Sequence, residues 1–144
     1  MDLWALYPYS AEAVFDGESI TTTLPAVQVA RAGSFGKDMN ITIAHSTSTT
    51  LQFYNVCGGV CFSLTHSGIQ RVTFEGNNNE TLAGTIQMAF EGGVPVVKQI
   101  SNGENILTLT APDGGTFEPG KWYYFEALPC KLNDGYVLKF YKAA

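Results

Sequence analysis

Apolar and polar positions alternate in short runs along nearly the whole chain, and the most informative run lies between Leu51 and Phe74. Tyr54, Val56, Val60, Phe62 and Leu64 share one parity, while Cys57, Cys61, Ser63 and Thr65 beside them are polar or small. A period of two describes a strand with one apolar face. Gly58-Gly59 interrupts it, and a glycine pair inside a strand marks a bulge, a sharp coil or a close backbone approach, so the strand is expected to bend rather than stop. His66-Ser67-Gly68 breaks the pattern, and Ile69, Val72 and Phe74 resume it. This predicts a long central strand followed by its hairpin partner.

Similar runs flank it. Residues 3–7 read as a first strand closed by Pro8, residues 9–17 as a loop, and residues 19–23 as a short β-branched strand. Within residues 26–38, the stretch from Ala26 to Ala30 fits a strand or a helical turn, and Gly33 and Gly36 make most of the segment a long connection. Residues 41–44 alternate again. Beyond Phe74, turn signals recur at Gly76-Asn77-Asn78-Asn79, Gly92-Gly93, Asn102-Gly103, Asp113-Gly114-Gly115, Pro119-Gly120 and Asn133-Asp134-Gly135. Between them lie strands at 85–90, 94–100 (an edge strand, because of Pro95), 106–110, 122–128 and 136–141. The aromatics of residues 122–125 occupy both parities, as in a strand covered on both sides. No i, i+3, i+4, i+7 stripe is sustained, so little or no helix is expected. The pattern predicts an all-β fold, an antiparallel β-sandwich. Its core should include Val56, Val60, Phe62, Leu64, Val72, Phe74, Ile86, Met88 and Leu109.

Length and composition sharpen this. The 144 residues are 45% hydrophobic, enough for one domain (1–144) with a real core. Only 15% are charged, against roughly 25% in an average domain. A net charge of -5 with 8 Lys+Arg and no basic run argues against nucleic acid as a partner. No apolar run is long enough to span a membrane as a helix. A strand that begins almost at Met1, with no secretory leader before it, fits either a cytosolic protein or an excised fragment, and the fragment is favoured because an apolar strand seldom starts without a preceding element to fix it.

Chemical motifs are sparse. Cys57, Cys61 and Cys130 leave at least one thiol unpaired. In a straight strand Cys57 and Cys61 stand roughly 13 Å apart, beyond bridging range unless the glycines kink sharply or Cys130 is the partner. His45 and His66 sit among Ser and Thr without a nucleophile, base and orienter together, and Ser63 and His66 point to different faces. No basic residue near Cys57 or Cys61 in sequence activates a thiol. Cys57, Cys61 and His66 lack zinc-knuckle spacing, and Asp113 and Asp134 are explained by turn geometry. No catalytic, metal or cofactor site is therefore expected. Aromatics offer one small-ligand reading: Trp4, Tyr7, Tyr9, Trp122, Tyr123 and Tyr124 include flat apolar faces of the kind that stack on sugars, although most of them suit the core.

With these motifs in place the chain resembles the fimbrillin family of Bacteroidales, the subunits and associated proteins of type V pili. The resemblance rests on Trp4-Ala5-Leu6-Tyr7-Pro8-Tyr9, Phe53-Tyr54-Asn55-Val56-Cys57-Gly58, Gly68-Ile69 through Thr73-Phe74-Glu75-Gly76-Asn77, Leu82-Ala83-Gly84, Gly115-Thr116-Phe117, Gly120-Lys121-Trp122-Tyr123-Tyr124 and Leu128-Pro129, in order. It implies a transthyretin-like, Greek-key sandwich, the N-terminal domain of a lipidated precursor at the cell surface, outer membrane or fimbrium of a Gram-negative bacterium. It also implies assembly by strand exchange with other pilus subunits or copies of itself, and membrane attachment only through a lipid anchor outside this chain.

The two lines of reasoning converge on a structural or adhesive domain, not an enzyme, that acts through sheet edges. The candidate strand-acceptor edge is Leu3, Trp4, Ala5, Leu6 and Tyr7, unless residues 26–38 or 136–141 cover it. The alternative is a carbohydrate-binding module with Trp122 and Tyr124 as its platform; a host glycan or a protein receptor would then be the ligand.

Overall fold

The computed structural model describes residues 1–143. In chain order its strands are β1 (Leu3–Tyr7), β2 (Val14–Phe15), β3 (Ile20–Leu24), β4 (Val27–Val29), β5 (Thr42–Ser46), β6 (Tyr54–Asn55) and β7 (Gly58–Ser63). They continue with β8 (Ile69–Gly76), β9 (Ala83–Glu91), β10 (Val94–Glu104), β11 (Ile106–Thr110), β12 (Trp122–Ala127) and β13 (Tyr136–Lys142). A 3-10 turn at Pro112–Gly114 is the only helical element among the described residues. These strands form sheets in the orders β1-β5-β6, β10-β9-β3-β2, β13-β8-β11-β4 and β12-β7. The domain is an all-β sandwich, antiparallel throughout except that β4 runs parallel to β11.

Alternation explains the layers. In β8, Ile69, Val72 and Phe74 are buried, while Arg71 is exposed and Thr73 and Glu75 are partly exposed on the outer face. In β9, Ile86 and Met88 have no exposure. Two cores result. One joins Phe62, Val72, Phe74, Leu107, Leu109, Phe117, Tyr123 and Phe125; the other joins Ile20, Leu24, Ile41, Ile43, Ile86, Met88 and Leu128. Of the expected core residues, Val56, Val60 and Leu64 are only partly buried and pack against these clusters.

Several local expectations are corrected. The run between Leu51 and Phe74 is not one strand with a hairpin partner. It divides into β6, which pairs with β5, and β7, which pairs with β12, whereas β8 pairs with β11 and β13. β7 and β8 share a core, so the link between them crosses from one layer to the other instead of folding back in plane. The glycine pair does mark a close approach: a Cβ on Gly59 would meet the Phe125 carbonyl and the Phe35 ring. Asn102-Gly103 is not a turn but an irregularity inside β10, with Asn102 at a φ of 52°, and it faces Gly84. Residues 26–38 contribute a true strand, β4, and residues 9–17 contain the short β2.

β10 is the longest strand and an edge, with Pro95 within it and register shifts between Val97 and Gln99 and between Ser101 and Glu104. Lys98 pairs with Glu91 across the hairpin.

Candidate functional site

An edge strand offers unpaired N–H and C=O groups to which a further strand can add. β1 pairs with β5 alone and ends its sheet. Trp4 and Leu6 pack against the second core, and Tyr7 is exposed. The Trp4 indole stacks on His45 at 4.2 Å between ring centroids, and His45 Nε2 lies 2.6 Å from Asp2 Oδ1. This hydrogen bond holds the Asp2 carboxyl below its ordinary pKa. The five residues Leu3, Trp4, Ala5, Leu6 and Tyr7 thus form one continuous edge. Neither segment that might have covered it does so by pairing: residues 26–38 supply β4 to β11, and residues 136–141 lie in β13 beside β8.

A second open edge escaped the sequence reading. β7 and β12 form only a two-stranded ribbon opposite the four-stranded sheet that ends in β13. The outer edge of β12 is closed. The Gln28 side chain, itself buried, donates from Nε2 to the Glu126 carbonyl at 2.8 Å and accepts from the Glu126 N–H at Oε1 at 3.1 Å. The Gly33 N–H donates to the Trp122 carbonyl at 2.8 Å. A side-chain amide thus completes the ladder as a neighbouring peptide would.

The far edge of β7 has no such closure, and β7 pairs with β12 alone. On β13, Tyr136, Leu138 and Phe140 share the inward parity. Tyr136 packs on Phe74 with centroids 5.1 Å apart and Phe140 on Phe62 at 5.9 Å, and Leu138 packs against the first core. Yet Tyr136 remains 48% and Phe140 43% exposed. Among the described residues no strand pairs with the far edge of β7, which leaves these inward-facing rings without a covering neighbour on that side.

Trp122 and Tyr124 share the other face of β12. Trp122 is 53% exposed, and Tyr124 is partly buried with its ring 5.4 Å from that of Phe35. Tyr123 and Phe125 face the first core and are buried. β12 is therefore buried on one face and only partly covered on the other, contrary to the expectation of two covered faces.

At the inner end of that second face lies Glu126, 1% exposed, with neither carboxyl oxygen hydrogen-bonded among the described residues. Burial pushes its pKa up to about 8. Burial and the Glu126 charge together push the Cys57 thiol up to about 12. All three cysteines are free, and Cys61 and Cys130 are exposed. His66 Nδ1 lies 3.1 Å from Thr65 Oγ1. No cluster of three or more His, Cys, Asp or Glu suited to a metal occurs among the described residues.

No family model, curated protein or solved structure matches the chain.

Proposed function

We propose that this domain is a structural or adhesive subunit, fimbrillin-like in kind, that joins neighbours by strand complementation without a catalytic step. The observation that carries this reading is the exposure of Tyr136 and Phe140 on the inward parity of β13, next to a β7 edge that pairs with no second strand among the described residues. A donated strand there would gain main-chain hydrogen bonds along β7 and place alternate side chains against those rings. Each apolar side chain fully buried contributes about 1.5–3 kcal/mol. The β1 edge offers a second docking line. The partners on this reading are other pilus subunits or further copies of this chain, at the outer surface of a Gram-negative cell and tethered through a lipid anchor on the precursor.

The test is hydrogen exchange on the 144-residue domain while a peptide of alternating apolar pattern is titrated in. Those amides of residues 58–63, or of residues 3–7, that point away from the paired strand should exchange freely at first and slow by at least about tenfold on binding. Protection of those outward-pointing amides in the free domain, with no peptide able to slow them further, would overturn the proposal.

The exposed Trp122 ring beside Tyr124 supports a second reading, a glycan platform. Quenching of tryptophan fluorescence by neutral oligosaccharides, lost in Trp122→Ala, would favour it over strand complementation.

A further inference from the structure

The outer face of the β13-β8-β11-β4 sheet carries a cleft of about 630 Å³ beside the turn at Pro112–Gly114. Its construction depends on a fault in the ladder. Tyr141 pairs with Arg71, but the next residue, Lys142, pairs with Ile69, so Gln70 is passed over. The Gln70 carbonyl instead accepts the Ala111 N–H at 3.0 Å. In a regular strand adjacent side chains point to opposite faces, and a bulge re-aims one of them. Here Gln70 and Arg71 both line the cleft, as do the neighbours Tyr141 and Lys142.

The chemistry so assembled is specific. The Arg71 guanidinium carbon lies 4.0 Å from the centroid of the Tyr141 ring, which holds the planar fork in place. The ion pairs among the described residues engage His45, Lys98, Lys121 and Lys139, leaving the charges of Arg71 and Lys142 for a ligand. Asp113, at a φ of 55°, and Thr110 add polar groups to the same wall. A guanidinium fork beside an ammonium suits one carboxylate. An aromatic ring suits the apolar face of a sugar, and Asp113, Gln70 and Thr110 suit its hydroxyls. Polyanions fit poorly, since the whole chain carries a net charge of -5 and repels them at long range.

We infer that this cleft binds a single carboxylate-bearing sugar, of the sialic or uronic acid class. The site is separate from the open β7 edge and from Trp122, and its test can fail while strand complementation stands.

The experiment is a titration of the nitrogen-labelled domain followed by amide chemical shifts. N-acetylneuraminic acid and D-glucuronic acid are the ligands; methyl galactoside and inorganic phosphate at matched ionic strength are the controls. At least one acidic sugar should shift the amides of residues 69–71, 110–115 and 140–142 saturably, with a Kd of about 1 mM or tighter, and bind at least about tenfold more tightly than either control. Arg71→Gln and Lys142→Gln should each weaken that binding about tenfold or more, with amide shifts elsewhere unchanged as the check on folding. Arg71→Lys, which keeps the charge and loses the fork, should weaken it as well. Absence of any saturable shift, equal binding of phosphate, or equal binding of the neutral sugar would each overturn the assignment.

Discussion

Glu126→Gln isolates the buried carboxyl from everything else in β12. The Gln28 side chain bonds the Pro25 carbonyl and the backbone N–H and C=O of residue 126, never the Glu126 side chain, so the substitution leaves that bridge in place. In the native protein burial raises the carboxyl from 4.5 to about 8. The folded state therefore keeps its proton over a range in which the unfolded chain has lost it. The stability associated with the neutral carboxyl is full below the unfolded pKa, falls as pH rises, and is gone above the folded pKa. At 1.36 kcal/mol for each pKa unit, the difference between pH 5 and pH 8 comes to about 3 kcal/mol. Urea unfolding at pH 5, 6, 7 and 8 measures this directly. The native protein should lose about 3 kcal/mol across the series beyond whatever slope the variant shows. Glutamine's buried amide also lacks a partner, at a cost of about 1–3 kcal/mol, but that cost does not vary with pH. The slope, not the absolute level, is thus the decisive quantity. Parallel curves for the two proteins would mean that Glu126 is solvated in solution and that its buried, unpartnered placement is wrong.

Other outcomes follow from the packing. Phe62, 6% exposed and surrounded by Phe117, Tyr123, Phe125 and Phe140, should lose about 3–5 kcal/mol on replacement by Ala in a denaturant melt. Gln28→Leu removes two backbone partners of Glu126 and should cost about 2–5 kcal/mol, read by the same melt; an unchanged midpoint would remove Gln28 as the closure of the β12 edge. With no disulfide among Cys57, Cys61 and Cys130, reductant should leave the Tm unchanged. At pH 8 a thiol reagent should modify Cys61 quickly and leave Cys57, with its pKa near 12, unreacted until the domain unfolds.

Much of the layering was legible in the order of residues, because alternation directly encodes which face is buried. Val72 and Phe74, and Ile86 and Met88, appear in the core with the expected parity, and Ile69 joins them across the bulge at Gln70. What alternation does not encode is the partner. Nothing local tells β7 to pair with β12 across the domain instead of with β8 a few residues away. β4 inverts the usual pattern: Val27 and Val29 are exposed and Gln28 is buried, because the amide serves a neighbouring strand and not the solvent. Glu126 was invisible for a similar reason, sitting in an aromatic-rich strand whose ends gave no hint that one carboxyl would be enclosed.

The alternating Tyr136, Leu138 and Phe140 were in plain view. Their half-covered state follows from the width of the opposing layer, a tertiary property. Likewise, the cleft beside Arg71 depends on passing over Gln70, which no turn residue announces.

β10 bears on how the protein behaves in a concentrated sample. The longest edge of the domain is also its most irregular, with Pro95 lacking an N–H, two register shifts, and the Lys98–Glu91 pair. Such an edge makes a poor template for a second chain. Straightening it, with Pro95→Val and Asn102 alone deleted so that Glu104 stands two residues from Ser101 as Ala83 does from Thr85, would extend the run of backbone donors and acceptors on a domain only 15% charged. The likeness between copies would then become a hazard, and such a variant should precipitate on storage where the native chain stays dispersed.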